Sequence, residues 1–378
     1  MLVYSGNGIG DIYYHLIREI TSHGRKVIVR GHSCLEMPEP VTLVYKKPGH
    51  CWMCIPKRRF NPFFAIAEVY WILTGMGNAE WISYYNKQMM EYNDGGEDNH
   101  GAYGLRIRKW RSGGAPDVDQ IYHVVRKLTA DPFSRQAVIS LWDPVRDNLI
   151  KSKDIPCNNQ ISYTLRDGVL DQIVVIRSND LVWGTPYNAV QFSHLHALVA
   201  GNLGVKMGTF TYVVENLHYY FNQYKETLAN LLEQSFDHDS FNQPDGPGTS
   251  VISNFDTVTD LDLGLLQENV RYIYENWGEK RFSPLEQVSF VGTGYWNQTI
   301  PRVLWIYRVL KEARMLIAED RTRIAEHILT LGSPLTDIII DFLESSSQLL
   351  YVEIANLCNT FLPATKRWTI TPAEEKRS

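Results

Sequence analysis

Ile155-Pro156-Cys157-Asn158-Asn159-Gln160-Ile161-Ser162-Tyr163-Thr164-Leu165-Arg166-Asp167-Gly168, running on through Val169–Ile176 into Arg177-Ser178-Asn179-Asp180, is the stretch whose pattern decides the fold. Ile161, Tyr163 and Leu165 alternate with polar neighbours, Asp167-Gly168 supplies a hairpin turn, and Asp171–Ile176 returns as a second strand. Cys157 stands immediately before the first strand, where a strand end can present a side chain at a pocket floor. Arg177 closes the second strand, so a guanidinium is expected across the ladder from the thiol. A nearby cation lowers a thiol's pKa from roughly 8.5 and raises its nucleophilic thiolate fraction. On these residues alone, a buried structural cysteine is the simpler reading.

Upstream of the hairpin, the spacing predicts a helix over 11–22, short strands at Val27–Val29 and Val41–Tyr45 separated by the turn residues Pro38 and Pro40, and a helix over Asn61–Leu73 opened by Asn61-Pro62. A polar, glycine-rich loop covers 93–104. A helix over Asp119–Leu128 and a buried strand over Gln136–Trp142 follow. Downstream come a helix over Ala189–Ala200 and a strand over Thr209–Val214. Beyond about residue 220 the texture becomes helical: Leu266, Val270, Ile273 and Trp277 share one face, and Val303–Ile317, Arg323–Leu331 and Asp337–Leu357 repeat the pattern. The expectation is an α/β (α+β) body over 1–220, a mixed sheet layered with helices, and a mainly helical extension over 221–378.

Composition narrows the function. Apolar residues make up 44% of the 378 and charged residues 21%, which excludes wholesale disorder. A net charge of −5 argues against a partner bound by neutralising nucleic-acid phosphates. The five cysteines are too scattered for a disulfide framework and point to a reducing compartment. No apolar run approaches the ~20 residues of a membrane span, and the first residues lack the pattern of a signal peptide. A cytoplasmic protein is expected.

Three motifs invite and resist functional readings. Gly6-Asn7-Gly8-Ile9-Gly10 resembles a phosphate loop but has no Walker lysine, and no strand is read ahead of it, so a plain turn is favoured. Cys51-Trp52-Met53-Cys54 is half a zinc site without its other half; no metal is expected. His194 and His196 are two apart on a helix and point to different sides.

Taken in order, Pro156-Cys157, Arg177-Ser178-Asn179-Asp180, Gly184-Thr185-Pro186-Tyr187-Asn188 and Leu217-His218-Tyr219-Tyr220 resemble the thymidylate synthase and deoxycytidylate hydroxymethylase superfamily. Upstream, Arg30-Gly31, Glu68 in AEVYWILTG, Ala102-Tyr103-Gly104 and Asp131-Pro132-Phe133-Ser134-Arg135 extend the resemblance from about Arg30 to Tyr220. The resemblance implies that Cys157 adds to C6 of a pyrimidine nucleotide. Arg30, Arg177, Ser178 and a partner subunit's Arg135 would hold its 5′-phosphate. His218 and Tyr220 would bind the 3′-hydroxyl, Glu68 would organise water and shuttle protons, and Tyr103 would help remove the C5 proton. Asp180 would bind the pterin of 5,10-methylenetetrahydrofolate, with Gly184 leaving room for a flat ring. A homodimer follows, with no nucleic acid or membrane as partner.

Two departures bear on the reaction. Met89 stands where the synthases carry a tryptophan near the transferred methylene, with Tyr92 where a second is usual, and Asn158 stands where they have histidine after the nucleophile. A less bulky wall and a polar neighbour favour water over hydride at the exocyclic methylene, hence hydroxymethylation. Asn188 carries a donor and an acceptor and so matches uracil, whereas deoxycytidylate hydroxymethylases place aspartate there. Gln136 stands where the family has a second arginine. The expected reaction is dUMP to 5-hydroxymethyl-dUMP, in a host cytoplasm if the gene is a phage's. A thymidylate synthase with a variant folate wall, a CMP or dCMP hydroxymethylase, and a regulatory protein with a relict site stand as alternatives.

Overall fold

A computed structural model describes residues 1–53, 58, 60–111, 116–225, 263–275, 291, 295–312, 318–331, 335–346 and 348–361. Its first element is one the sequence reading lacks: Leu2–Gly6 forms strand β1, so the glycine-rich turn does follow a strand. The turn leads into helix α1, Ile9–His23, whose buried face is Ile9, Ile12, Tyr13, Leu16, Ile17 and Ile20. It still offers no phosphate cradle. Its amides are taken by the chain itself: Asn7 N–H donates to Asp11 Oδ2 (2.6 Å) and Ile9 N–H to the His50 carbonyl (3.3 Å). A Cβ on Gly8 would lie 2.0 Å from that carbonyl oxygen.

β2 (Arg25–Val29) contains the predicted strand Val27–Val29 and forms a hairpin with β3 (His32–Glu36), a strand the sequence reading lacks; β4 follows at the predicted Val41–Tyr45. The hairpin turns at Arg30 (φ 50°) and Gly31 (φ 82°). α2 spans Pro62–Leu73, with Asn61 Oδ1 accepting from Phe64 N–H and Pro62 in the first turn, as the spacing predicts. Every residue of α2 except Glu68 is buried. A helix apolar all round needs cover all round, and α2 is enclosed by elements from both ends of the chain.

The short helices α3 (Ala79–Ser83) and α4 (Tyr103–Arg108) flank the polar loop, so Tyr103 opens a helix rather than ending a loop. α5 follows over Gln120–Ala130. The predicted buried strand at 136–142 is only the three-residue edge strand β5, Val138–Ser140, with one buried residue. After α6 (Pro144–Leu149) the predicted hairpin is present as β6 (Asn158–Arg166) and β7 (Val169–Ile176), turning at Asp167 and Gly168, both with positive φ. β8 (Asn179–Asp180) leads to α7, Gly184–Leu203, which begins five residues before the predicted start. β9 (Lys206–Val214) and β10 (Leu217–Tyr220) complete the strands.

The large sheet has the order β1-β4-β9-β7-β6-β5 and mixes parallel with antiparallel pairs; β2-β3-β10-β8 form a smaller sheet. Alternate residues Ile161, Tyr163, Val174, Phe210 and Tyr212 are buried in the core. On the other face Val138 (45% exposed), Ile173 (40%) and Val3 (61%) are left open.

Helices α8 (Leu263–Glu275), α9 (Ile300–Glu312), α10 (Ala318–Leu329), α11 (Leu335–Glu344) and α12 (Leu349–Phe361) follow. Leu266, Val270 and Ile273 are buried as expected, while Trp277 lies outside the described residues. α9 and α11 close the far side of α2: Tyr307 stacks on Tyr85 (ring centroids 5.1 Å, 26°), and Phe342 meets Phe63 edge-on at 5.7 Å. His194, fully buried, bonds the Val190 carbonyl through Nδ1 (2.7 Å) and the Tyr295 hydroxyl through Nε2 (2.9 Å). His196 meets the Leu170 carbonyl at 2.6 Å. Both histidines are structural. Among the described residues no helix is long and apolar enough to cross a membrane, and no His, Cys, Asp and Glu group could hold a metal. Cys51 is buried and forms no disulfide with the described residues; Cys54 lies outside them.

Candidate active site

The β6–β7 ladder positions Cys157. Arg177 N–H donates to the Cys157 carbonyl (3.0 Å), extending the ladder past Asn158, whose partner in register is Ile176. The Arg177 side chain turns back on the strap before the cysteine, donating from Nε to the Pro156 carbonyl and from Nη2 to the Ile155 carbonyl, each at 3.0 Å. Its guanidinium lies 5.6 Å from the Trp142 ring centroid. Burial pushes the thiol up, and Asp154 and Asp180 add to that, while Arg177 and Arg30 pull it down; the balance lies above the ordinary value. The sequence reading has the arginine's sign right and omits the larger effect. That balance favours the thiol form of Cys157 at neutral pH.

The strap is stapled to the loop that carries Tyr103. Arg106, 1% exposed, donates to both carboxylate oxygens of Asp147 at 2.7 Å, His100 adds a third contact at 3.0 Å, and Gly101 N–H donates to Asp154 Oδ2 (2.8 Å). Breaking one partner of such a buried pair costs about 3–5 kcal/mol. Nucleophile strap and Tyr103 are thereby held as one unit.

From there a chain of polar groups crosses the core. Asn158 Nδ2 donates to the Tyr103 hydroxyl (2.7 Å), and the Tyr212 hydroxyl donates to Asn158 Oδ1 (3.0 Å). Asn188 Nδ2 donates to the Tyr212 oxygen (2.8 Å) and to Asn179 Oδ1 (3.3 Å). Asn179 Nδ2 donates to Thr185 Oγ1 (3.1 Å), which donates to the Asp180 carbonyl (3.3 Å). Tyr212 and Asn179 are absent from the sequence reading's site. The alternation of Phe210, Tyr212 and Val214 marks Tyr212 as core; nothing in it reveals that the hydroxyl joins two asparagines.

Two carboxyls lining the site are instead left open. Glu68 Oε2 is buried with no hydrogen-bond partner among the described residues. Burial pushes this carboxyl up to about 8, against a hydrogen bond from Gln191 that works the other way. Asp180 Oδ1 accepts from the Val182 and Trp183 amides at 2.7 and 2.6 Å, while Oδ2 is buried and unbonded among the described residues. Burial raises Asp180; those amides, His218 and Arg58 pull against it. A buried acceptor without a donor fits a ligand that brings N–H groups, as a pterin does.

The remaining expected residues divide. Asp180 and His218 pair in register between β8 and β10, and Tyr220 stands edge-on to the His218 ring at 5.3 Å. Arg30, exposed at its hairpin tip, reaches Cys157 and Tyr220 electrostatically. Tyr92, 48% exposed, is raised by partial burial and by Asp180, Glu91 and Cys157, which places it within electrostatic reach of the site's carboxyl and thiol. Met89 is half-buried on a 3₁₀ turn, its carbonyl accepting from Asn99 Nδ2 (3.4 Å). Ser178, half-buried, follows Arg177. Arg135 is exposed in the turn before β5 and makes no hydrogen bond to the described residues of its own chain. Gln136 is held by Lys127 Nζ (3.3 Å). Gly184 is explained differently from the sequence reading: its missing Cβ makes room for Asn179 Oδ1, which would lie 2.1 Å from a Cβ, rather than for a ring.

Fold and site together define an α/β protein that presents a cysteine at a strand end beside buried amides, carboxyls and arginines. The chain belongs to the thymidylate synthase family, whose model matches residues 11–250. It is 36% identical over 243 residues to the deoxyuridylate hydroxymethyltransferase of Bacillus phage SP01, covering 62% of this chain and 63% of that protein. Over 185 residues it is 40% identical to the deoxyuridylate hydroxymethyltransferase of Pseudomonas phage M6, covering 48% and 51%. The protein of that name from Delftia phage PhiW-14 is 28% identical over 193 residues, covering 47% and 52%. The chain thus spans between 51% and 63% of the length of these relatives.

Proposed function

We propose that the chain transfers a one-carbon unit to C5 of dUMP and releases 5-hydroxymethyl-dUMP and tetrahydrofolate. The observation that carries this reading is the continuous bonding from Tyr103 through Asn158 and Tyr212 to Asn188, which ties the residue beside the nucleophile to the residue assigned to the base. The names of the phage relatives point the same way.

Cys157 Sγ loses its proton and bonds to C6, which makes C5 enamine-like. Arg177 and Arg30, the cations that favour its thiolate, are assigned to the 5′-phosphate with Ser178 and with Arg135 of the partner subunit. His218 and Tyr220 bind the 3′-hydroxyl. Tyr103 accepts from Asn158 with one lone pair, which leaves its second lone pair to receive the C5 proton while its own hydrogen passes on to water. Glu68, protonated at neutral pH, organises water and passes protons. Asp180 Oδ2 would hold the pterin through its N–H groups, with Met89 forming part of the folate wall. When bound, 5,10-methylenetetrahydrofolate supplies the one-carbon unit. Polar Asn158 and the half-buried Met89 admit water, which adds to the exocyclic methylene; the Cys157–C6 bond then breaks, C5=C6 re-forms, and the product keeps the hydroxymethyl group on C5. The open sheet face with Ile173 and Val138 supports a homodimer, and the exposed, unbonded Arg135 is free to reach across it. In this reading 1–220 forms the catalytic region and 221–378 the helical extension.

The test is the product formed from dUMP and methylenetetrahydrofolate. Mass spectrometry should find 5-hydroxymethyl-dUMP with no rise in the near-ultraviolet absorbance of dihydrofolate. Equal amounts of dTMP and dihydrofolate would make the chain a thymidylate synthase.

A further inference from the structure

Arg58 is a buried charge with no part in the proposed chemistry. It is 6% exposed, donates from Nε to the Tyr13 hydroxyl (3.2 Å) and from Nη2 to the Val182 carbonyl, and lies 6.0 Å from the Tyr13 ring centroid. Those partners are all neutral, and among the described residues Arg58 forms no ion pair. A buried cation without a paired anion is costly. The carboxylate that acts on it is Asp180, and the influence is mutual. Val182 joins the two: its carbonyl accepts from Arg58, while its N–H donates to Asp180 Oδ1 (2.7 Å). Tyr13, 0% exposed on α1, fixes the guanidinium from the other side. Asp180 itself has one oxygen committed and one open. Oδ1 takes the Val182 and Trp183 amides, so a proton on this carboxyl would sit on Oδ2 and turn the open acceptor into a donor. Burial favours that protonated form; the two amides, His218 and Arg58 oppose it.

We propose that Arg58, held by Tyr13, is a positioning residue for the folate side of the site: it ties down the turn from Asp180 to Trp183 through the Val182 carbonyl and sets a positive charge behind Asp180, so that Oδ2 is available as a bare acceptor. Arg58 acts through Asp180 and does not itself touch the ligand. The N-terminal helix α1 thereby takes part in the site through the Tyr13 hydroxyl, although no residue of α1 is assigned to substrate or folate. Nucleotide binding is assigned to other residues, so loss of Arg58 separates the two ligands. The inference rests on the reading that Asp180 receives the pterin, and it is independent of whether the product is hydroxymethyl or methyl.

Equilibrium binding by calorimetry on the full chain tests this, with tetrahydrofolate as the probe and dUMP present at saturation. Arg58→Met should raise the dissociation constant of tetrahydrofolate by about 10- to 100-fold, the effect of spoiling a hydrogen bond to a charged group. That of dUMP, measured alone, should stay within about threefold. Tyr13→Phe keeps the buried ring and removes only the oxygen that holds Nε; it should weaken tetrahydrofolate by about threefold. If Arg58→Met does not fold, an unchanged affinity in Tyr13→Phe overturns the inference. Equal losses for dUMP and tetrahydrofolate would show a merely structural role and overturn it as well. Tetrahydropteroate, which lacks the glutamate carboxylates, should lose affinity by the same factor in Arg58→Met. An effect confined to tetrahydrofolate would mean that Arg58 meets the ligand's tail directly, and the inference would fall. In an Asp180→Asn background, Arg58→Met should add less than about twofold, because its route to the ligand is already cut; a full further loss would place its action elsewhere. If Asp180→Asn itself binds tetrahydrofolate normally, the pterin assignment of the proposed function fails. If Asp180→Asn binds it weakly while Arg58→Met binds it normally, that assignment stands and only this inference is lost.

Discussion

The body around the site and the helices after residue 263 are held by different kinds of contact. Around the site the contacts are directional: Arg106 grips Asp147, Arg177 grips the Ile155 and Pro156 carbonyls, and the polar chain runs from Tyr103 to Thr185. On the far side of α2 they are mainly aromatic and apolar, with Tyr307 against Phe63 and Tyr85, and Phe342 against Phe63. The few hydrogen bonds there, from Lys311 Nζ to the Tyr84 carbonyl and from the Tyr307 hydroxyl to the Tyr85 carbonyl (3.5 Å), go to backbone outside the site. A hydrogen bond specifies an angle; apolar burial specifies little beyond area. The body therefore sets where functional atoms point. The later helices stabilise α2 and the Tyr84–Tyr85 segment without aiming anything. Glu68, the one residue of α2 that is not buried whole although its carboxyl is, stands where the two regimes meet.

Glu68→Gln should give the largest effect of the substitutions that probe this contrast. A glutamine cannot pass protons, so in the proposed reaction kcat for dUMP should fall by about 10²- to 10⁴-fold, while dUMP affinity, which that proposal assigns to the arginines, should change little. Stability should move the other way. The folded protein holds a proton on Glu68 up to about pH 8, and the unfolded chain releases it near 4.5. The group's contribution is thus fully present below pH 4.5 and is lost as pH rises towards about 8. Its slope approaches about 1.4 kcal/mol per pH unit. In thermal melts, Glu68→Gln should flatten that decline and exceed the unaltered protein at pH 8. Parallel pH curves for the two proteins would show that Glu68 is not the buried acid described here.

Tyr307→Ala tests the other side. Removing a ring packed on Phe63 and Tyr85 should cost about 2–4 kcal/mol in denaturant unfolding, with dUMP affinity kept within about threefold. A much larger loss of affinity would mean that the later helices aim site groups after all, and the contrast would collapse.

The same contrast explains what the sequence could tell. The β6–β7 hairpin was legible because period-two alternation and Asp167-Gly168 are local signals, and so was the start of α2 at Asn61-Pro62. β1 and β3 were not. β1 lies at the sheet's edge and buries no residue fully, and β3 opens with His32 and Ser33 and pairs with β10, far along the chain. Cys157, Asn158, Tyr103 and Asn188 could be named from their motifs. Their connection could not, because it runs through Tyr212, a residue whose sequence context says only that it is buried. Likewise, the open oxygens of Glu68 and Asp180 follow from packing around them, which no spacing encodes.

The smallest effect should come from Asn61, where both kinds of contact act on one side chain. Its Oδ1 accepts from Phe64 N–H (3.0 Å) and caps α2, while its Nδ2 donates to the Tyr85 carbonyl (3.5 Å), on the residue that Tyr307 stacks against. Its backbone N–H donates to the Tyr187 hydroxyl (3.0 Å), a bond that any substitution except proline keeps. Asn61→Ala removes the first two contacts and should cost about 1 kcal/mol, a shift of about 1–2 °C in the melting midpoint for a chain of this size. Asn61→Asp separates them. It keeps an oxygen for the cap and places negative charge at a helix N-terminus, which is favourable, but it cannot donate to Tyr85. If the cap is what matters, Asn61→Asp should recover most of the lost stability, because the long 3.5 Å bond adds little beside the aromatic packing. If Asn61→Asp melts as low as Asn61→Ala, the side chain's part is to tether Tyr85, and directional contacts would extend further towards the later helices than the contrast allows.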